Sequence, residues 1–265
     1  MDEGYRGGFN VANSVKVGGV VPIRAILFDK DGTLVDFDRT WAPAVQAVLR
    51  HLAGGDDGLF RKLSADSGLV DGAHFRPDSP LIDQPTDIFA ARWATLLGRP
   101  VDAALLEEID QLLSKETTAH LAAIGDARAV MSELAGRGYQ LGLVTNDAEA
   151  TARAHVRKLG CDHMLSFVAG YDSGYGAKPA PGPVFAFSAA VGVSPNELVL
   201  VGDTALDIAT ARTAGARAVV VLTGPQSSDY LRGAGADAII ASIEQLSAWL
   251  ETQRSARAAS ENNTS

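Results

Sequence analysis

Six short runs of aliphatic and β-branched residues recur along this chain, and the stretches between them carry helical spacing. The runs are Ala25 to Phe28, Gln140 to Val144, Met164 to Ala169, Leu198 to Val201, Ala218 to Leu222 and Ala236 to Ile240. A strand reads as an unbroken apolar run when helices cover both faces of its sheet, which is the situation in parallel sheets. Helix-like stretches follow the runs at Ala148 to Leu159, Pro183 to Val191, Leu206 to Ala214 and Ile243 to Leu250. The pattern predicts an α/β fold, a doubly wound parallel sheet.

From about Phe37 to Ala119 the rhythm breaks, because helical periodicity continues without a convincing buried strand. The expected helices are Thr40 to Leu52, Gly58 to Ser67, Thr86 to Leu97 and Ala103 to Thr118, with a Pro-punctuated connection from Val70 to Pro85. About 80 residues suffice for a small helical bundle, so residues 37–118 read as an inserted all-helical domain. Residues 21–36 and 119–252 then form the core domain. Residues 1–20 read as a loose leader, and the polar, small-residue stretch 253–265 as a disordered tail that cannot offset its ordering entropy by burial.

The 265 residues are 46% hydrophobic, which excludes disorder of the whole chain. A net charge of -9, with 32 acidic residues against 23 Lys and Arg, leaves no basic footprint for nucleic acid. No run reaches the ~18 consecutive apolar residues of a membrane span. The amino terminus lacks the basic start and apolar stretch of a secretory signal, and the single cysteine, Cys161, excludes an internal disulfide framework. A cytoplasmic location is the expectation; oligomeric state is unreadable.

Four constellations carry chemistry. Asp29-Lys30-Asp31-Gly32-Thr33 follows the first apolar run, and in extended geometry both carboxylates face one pocket while Lys30 points away. Two such acids repel and favour a bound cation or a shared proton, although a lone Asp-Gly turn can also simply end a strand. Thr145 and Asn146 follow the second run, where a hydroxyl and the amides opening a helix suit a phosphate, or form an ordinary cap. Lys178, held among Pro179, Pro181 and Pro183, is a stiffly presented ammonium suited to neutralising a phosphoryl group. Asp203 follows the fourth run with Asp207 four residues on, and their hard oxygens suit Mg²⁺ unless they merely cap and charge a helix start.

The strings FDKDGTLVD, VTN, AKPAPGP and VGDTALDIATARTAG together resemble, in order and spacing, the four motifs of the haloacid dehalogenase superfamily of phosphohydrolases, over about residues 24 to 250. The resemblance implies that Asp29 is a nucleophile forming an aspartyl-phosphate and that Asp31 is the general acid and then the base. It further implies that Thr145, with Asn146 beside it, binds phosphate and that Lys178 neutralises charge. Mg²⁺ would be held by Asp29, the backbone carbonyl of Asp31 and Asp203, with Asp207 as a direct or water-mediated helper. The insert is similar to the helical cap that phosphoglycolate phosphatases place between motifs one and two. The third motif departs from theirs, with Ala177 and Gly182 where Gly and Asp are more frequent.

The implied activity is hydrolysis of a small phosphorylated metabolite, 2-phosphoglycolate or a similar ester. A sugar phosphomutase with the same nucleophile and a non-catalytic phosphate-binding module are the alternatives. A dehalogenase is disfavoured by the presence of Asp31. DKDGT is also similar to the DKTGT of cation-pumping ATPases, but no membrane span accompanies it. In the insert, Arg76 on the Asp71 to Pro80 connection is expected to face the site and clamp an anionic or hydroxylated leaving group, with Arg92 as a rival cation.

Overall fold

The structure, a computed structural model, describes residues 21–262. Strand β1 (Ala25–Phe28) leads into the insert, which contains α1 (Phe37–Ala53), α2 (Asp57–Asp66), strands β2 (Leu69–Val70) and β3 (His74–Phe75), then α3 (Pro80–Asp83), α4 (Thr86–Leu97) and α5 (Ala103–Ala119). The chain returns through α6 (Ala127–Gly136), β4 (Gln140–Val144), α7 (Glu149–Lys158), β5 (Leu165–Ala169), α8 (Gly182–Val191) and β6 (Leu198–Gly202). It ends with α9 (Ala205–Ala214), β7 (Arg217–Val221), α10 (Ser228–Ala234), β8 (Ala238–Ile240) and α11 (Leu246–Asn262).

Six strands form one parallel sheet in the order β5-β4-β1-β6-β7-β8. Alternate residues of each strand feed opposite faces. Ile26, Phe28, Leu141, Leu143, Val199 and Val201 pack with Met131, Val156, Leu246 and Leu250. Ala25, Leu27, Leu198 and Leu200 pack on the other face with Val184, Phe187 and Ile208. Strand β1 lies centrally, with Phe28 in register with Leu143 on one side and Val201 on the other. The three strands therefore end together, and the residues that follow them meet.

The insert has its own apolar cluster, in which Trp41, Val45 and Leu49 of α1 meet Leu105, Ile109 and Leu113 of α5, with Phe89 and Trp93 of α4 alongside. Two adjacent chain passages join it to the core, closed by Asp36 N–H to the Ala122 carbonyl at 2.9 Å and Ile124 N–H to the Leu34 carbonyl at 2.9 Å.

Two expectations are corrected. The insert is not all-helical, because β2 and β3 pair as an antiparallel ribbon around Asp71 and Gly72, whose φ values of 50° and 67° form the turn. Two-residue strands are too short to show a period, and only the Asp-Gly pair signals the hairpin. Residues 253–262 continue α11 instead of forming a disordered tail. Buried Leu246 and Leu250 dock the first turns, and each further Ala, Arg or Glu adds a hydrogen bond without a new nucleus. The leader at residues 1–20 lies outside the described residues, as do 263–265.

Candidate active site

Three neighbouring strand ends deliver the acids and the hydroxyl. Asp29 follows β1 and its amide reaches the Val201 carbonyl of β6 at 2.8 Å; Thr145 follows β4, and Asp203 follows β6. All three side chains are buried, at 4%, 3% and 2% exposure, so their charges and dipoles act in a poorly solvated space where electrostatics are strong. The Thr145 hydroxyl accepts from the Asp147 amide at 3.2 Å, which leaves its own proton to donate.

Lys178 arrives from the loop before α8, with its Nζ 2.6 Å from Asp29 Oδ1 and 2.7 Å from Asp207 Oδ1. The Asn146 side-chain amide clamps that loop. Its Nδ2 donates to the Lys178 carbonyl at 3.0 Å and its Oδ1 accepts from the Lys178 amide at 2.8 Å. Asn146 lines the cavity, yet these bonds make it a holder of Lys178 where the sequence suggested a substrate contact. Burial works against the Lys178 ammonium, but Asp207 and Asp29 more than offset it and its pKa is raised. Burial pushes Asp29 up to about 6, opposed by Lys178 and reinforced by Asp207 and Asp31.

Oxygens of Asp29, Asp203 and Asp207 lie within 4.8 Å of one another. Asp207 also has protein partners. Its Oδ1 accepts from Lys178, and its Oδ2 accepts from the amides of Asp203 and Thr204 and the Thr204 hydroxyl, closing a capping box at the start of α9. Asp207 thus anchors Lys178 and the helix start, and its carboxylate stays in the same oxygen cluster, where a direct or water-mediated helper of a metal would sit. Burial first, then the charges of Asp29 and Asp207, raise the Asp203 pKa well above the ordinary range. Gly32, at φ +75°, lets the loop pass so close that a Cβ there would lie 2.2 Å from Asp203 Oδ2. Three buried carboxylates facing one ammonium form a hard-oxygen set with uncompensated negative charge, which fits a divalent cation such as Mg²⁺.

Asp31 belongs to the same cavity, but its carboxylate is held from the other side. Oδ1 accepts from Trp41 Nε1 at 2.8 Å, and Oδ2 lies 2.5 Å from Lys30 Nζ. Lys30 does not point away, as alternation predicts. Its carbonyl accepts from the amides of Leu34 and Val35, so the chain leaves extended geometry at this point and turns the ammonium inward. Neither Lys30 nor its partners Asp147 and His155 was identified from the sequence.

On the insert side the cavity is lined by Phe37, Trp41, Leu81, Ile82, Gln84, Thr86 and Phe89. Arg76 is absent from that lining. Its Nε donates to Asp78 Oδ1 at 3.0 Å, and its side chain is 48% exposed, where the Arg76 amide ties this segment to the Gly68 carbonyl just past α2. Arg92 grips Asp66 with contacts of 2.6 and 3.1 Å and is likewise turned outward. A larger cavity, about 510 Å³, opens at the opposite edge of the sheet among Arg24, Arg137 and Leu250, and none of the acids above lines it.

Compared with known proteins, the sequence matches the haloacid dehalogenase-like hydrolase family over residues 23–215. A phosphoglycolate phosphatase from Rhodospirillum rubrum is 30% identical, covering 86% of this chain and 90% of its own length. The phosphoglycolate phosphatase of Escherichia coli is 27% identical, with 84% and 91% covered. Among solved structures, a hydrolase of the same family from Deinococcus radiodurans, crystallised with bound phosphate and sodium, superposes with a TM-score of 0.60 at 20% identity, covering 88% of this chain and 97% of that one.

Proposed function

The chain belongs to the haloacid dehalogenase-like hydrolases and is a phosphatase, and from that premise we propose that it hydrolyses a small phosphate monoester with Mg²⁺ through an aspartyl-phosphate on Asp29. The observation that carries this reading is the convergence of Asp29, Thr145 and Asp203 at the ends of adjacent strands with Lys178 from the loop before α8. Asp29 attacks phosphorus as the ester oxygen leaves with a proton from Asp31. Asp31, now a carboxylate, takes a proton from water, whose oxygen attacks the phosphoaspartate and releases inorganic phosphate. Thr145 donates to a phosphoryl oxygen, and Lys178 offsets charge on Asp29 and the transferring group. When bound, Mg²⁺, held by Asp29, Asp203 and the Asp31 carbonyl, supplies further charge neutralisation.

The names of the relatives support 2-phosphoglycolate as the first ester to assay. The lining of the cavity favours a second reading, a neutral leaving group, because among the described residues no Arg, Lys or His of the insert lines the site, and a carboxylate buried without a counter-charge is costly. Phosphate release from 2-phosphoglycolate against 2-hydroxyethyl phosphate, matched in size but lacking the carboxylate, decides between them. Release of one inorganic phosphate per ester consumed separates a hydrolase from a phosphomutase, and absence of turnover on a broad panel points to a binding module.

Asp31→Asn is expected to lower kcat/KM on an alkyl phosphate at least about tenfold more than on p-nitrophenyl phosphate, whose leaving group scarcely needs a proton. Equal losses count against proton donation by Asp31. Mg²⁺ is expected to raise the Tm of the protein by several degrees, since a hundredfold excess over Kd is worth about 2.7 kcal/mol. Without metal, Asp29 titrates near 6 when folded against an ordinary 3.8, so between those values the folded chain holds more protons than the unfolded one and loses stability as pH rises. Asp203 shifts the same way. The Mg²⁺-induced rise in Tm should therefore be larger at about pH 7.5 than at about pH 5; a rise independent of pH would argue against a site built on these carboxylates.

A further inference from the structure

Among the described residues, Lys30 is the one fully buried ammonium that the scheme above leaves without a task. It has no solvent exposure and sits between Asp31 Oδ2, at 2.5 Å, and Asp147 Oδ2, at 3.2 Å. Its Nζ also lies 3.2 Å from His155 Nδ1 and 5.5 Å from the centre of the Trp41 ring. The direction of the chain of bonds is fixed by its two ends. Lysine has only donors and the Leu113 carbonyl only accepts, so Lys30 donates to His155 Nδ1, His155 Nε2–H donates to the Thr117 hydroxyl at 3.0 Å, and Thr117 donates to the Leu113 carbonyl at 2.6 Å. Asp147 is tied down as well, because its Oδ1 accepts from the Ala148 amide at 2.8 Å.

These anchors belong to separate parts of the fold. Asp147 follows β4, His155 lies on α7 of the core, and Thr117 lies on α5 of the insert. The position of Nζ is thus set without reference to Asp31, which gives that carboxylate a fixed point for Oδ2. Trp41 on α1 supplies a second fixed point for Oδ1. A carboxylate on a turn would otherwise rotate freely, and a displacement of about 1 Å at a reacting group can cost roughly 100-fold in rate. An apolar side chain would fill the Lys30 position without the penalty of burying a charge.

We propose that Lys30, anchored by Asp147 and His155, is a positioning residue that, together with Trp41, holds the Asp31 carboxylate where it delivers a proton to the leaving group. The inference rests on the assignment of Asp31 above. It also ties the orientation of Asp31 to the seating of the insert on the core, since Trp41 and Thr117 come from the insert while Asp147 and His155 do not.

The test measures kcat/KM for Lys30→Met and Lys30→Arg on an alkyl phosphate and on p-nitrophenyl phosphate, alone and combined with Asp31→Asn. Lys30→Met is expected to lose about 30-fold or more on the alkyl ester, at least about tenfold more than on p-nitrophenyl phosphate, with partial recovery in Lys30→Arg. Added to Asp31→Asn, it should cost less than about twofold further, because the two residues act as one unit. Lys30→Met leaves Asp31 and Asp147 facing each other, so Lys30→Met/Asp147→Asn, which removes two buried charges together, serves as the second variant and should show the same split. Circular dichroism and Tm establish that each variant is folded. Equal losses on both esters, no loss on either, additivity with Asp31→Asn, or failure of both Met variants to fold would overturn the proposal and leave Lys30 a structural residue. If Asp31→Asn itself fails to discriminate between the esters, the proton-donor reading falls instead; if it discriminates and Lys30→Met does not, only the present inference falls.

Discussion

Asp29→Asn is expected to abolish turnover, by at least about four orders of magnitude, while the protein stays folded. The amide keeps the shape of the carboxylate but cannot form the covalent bond to phosphorus. Folding should be spared because burial and the charges of Asp207 and Asp31 already disfavour ionised Asp29, whose pKa stands near 6. Removing that charge relieves part of the crowding around Asp203 and Asp207, at the loss of one of the two partners of Lys178. In metal-free buffer near neutral pH the Tm of the variant should equal or exceed that of the wild type. Intact-mass spectra after rapid acid quenching should show a phosphate adduct on the wild type mixed with substrate and none on the variant. Turnover within about tenfold of wild type, or an adduct that survives the substitution, removes Asp29 from the nucleophile's place.

The sheet was legible because its inner strands are buried on both faces. Runs such as Leu198 to Val201 need no period to be recognised, and all six runs occupy strands of one parallel sheet. The ribbon at Leu69–Val70 and His74–Phe75 has no such run, and its pairing depends on contacts with α1 that no local pattern encodes, including the Phe75 amide donating to Asp38 Oδ1 at 3.1 Å. Asp29 and Asp203 could be singled out because a polar residue directly after a buried strand must emerge at the sheet's carboxyl edge. For Asp207 the Thr204-Ala205-Leu206-Asp207 spacing of a capping box was also readable, and it places the residue at the helix start beside the other acids.

Lys30 and Arg76 failed as expectations for opposite reasons. Alternation sends Lys30 outward only if extended geometry persists beyond β1, and the turn after Asp29 ends it. Arg76 has the right chemistry for an anion but a partner two residues away, and the ribbon carries both to the surface. In each case the deciding interaction is set by tertiary structure. The Lys30 contacts with His155 and Asp147 span more than a hundred residues of sequence, and residue type at one position cannot announce them.

Lys178→Met is expected to lower kcat by about 100- to 1000-fold, with a change in KM of less than about fivefold. The ammonium touches Asp29 and Asp207 together, at 2.6 and 2.7 Å, and among the described residues the other charge in this cluster, Asp203, is also an acid. Methionine keeps the length and the apolar stem but leaves Asp29, Asp203 and Asp207 with no internal counter-charge. Two consequences separate this from a loss of packing. The first is that Asp29, as it bonds to phosphorus, and the in-flight phosphoryl oxygens lose a fixed positive partner placed for the transition state, so the chemical step suffers more than ground-state binding. The second is that Asp29 loses the group that lowers its pKa, so in metal-free protein its titration should move further above 6 and the variant should lose more stability than the wild type as pH rises toward neutral. Steady-state kinetics at saturating Mg²⁺ and a Tm series across pH in EDTA read the two effects independently. A loss confined to KM would make Lys178 a substrate-binding residue only, and a pH dependence of Tm identical to wild type would mean that its charge does not balance the carboxylate cluster.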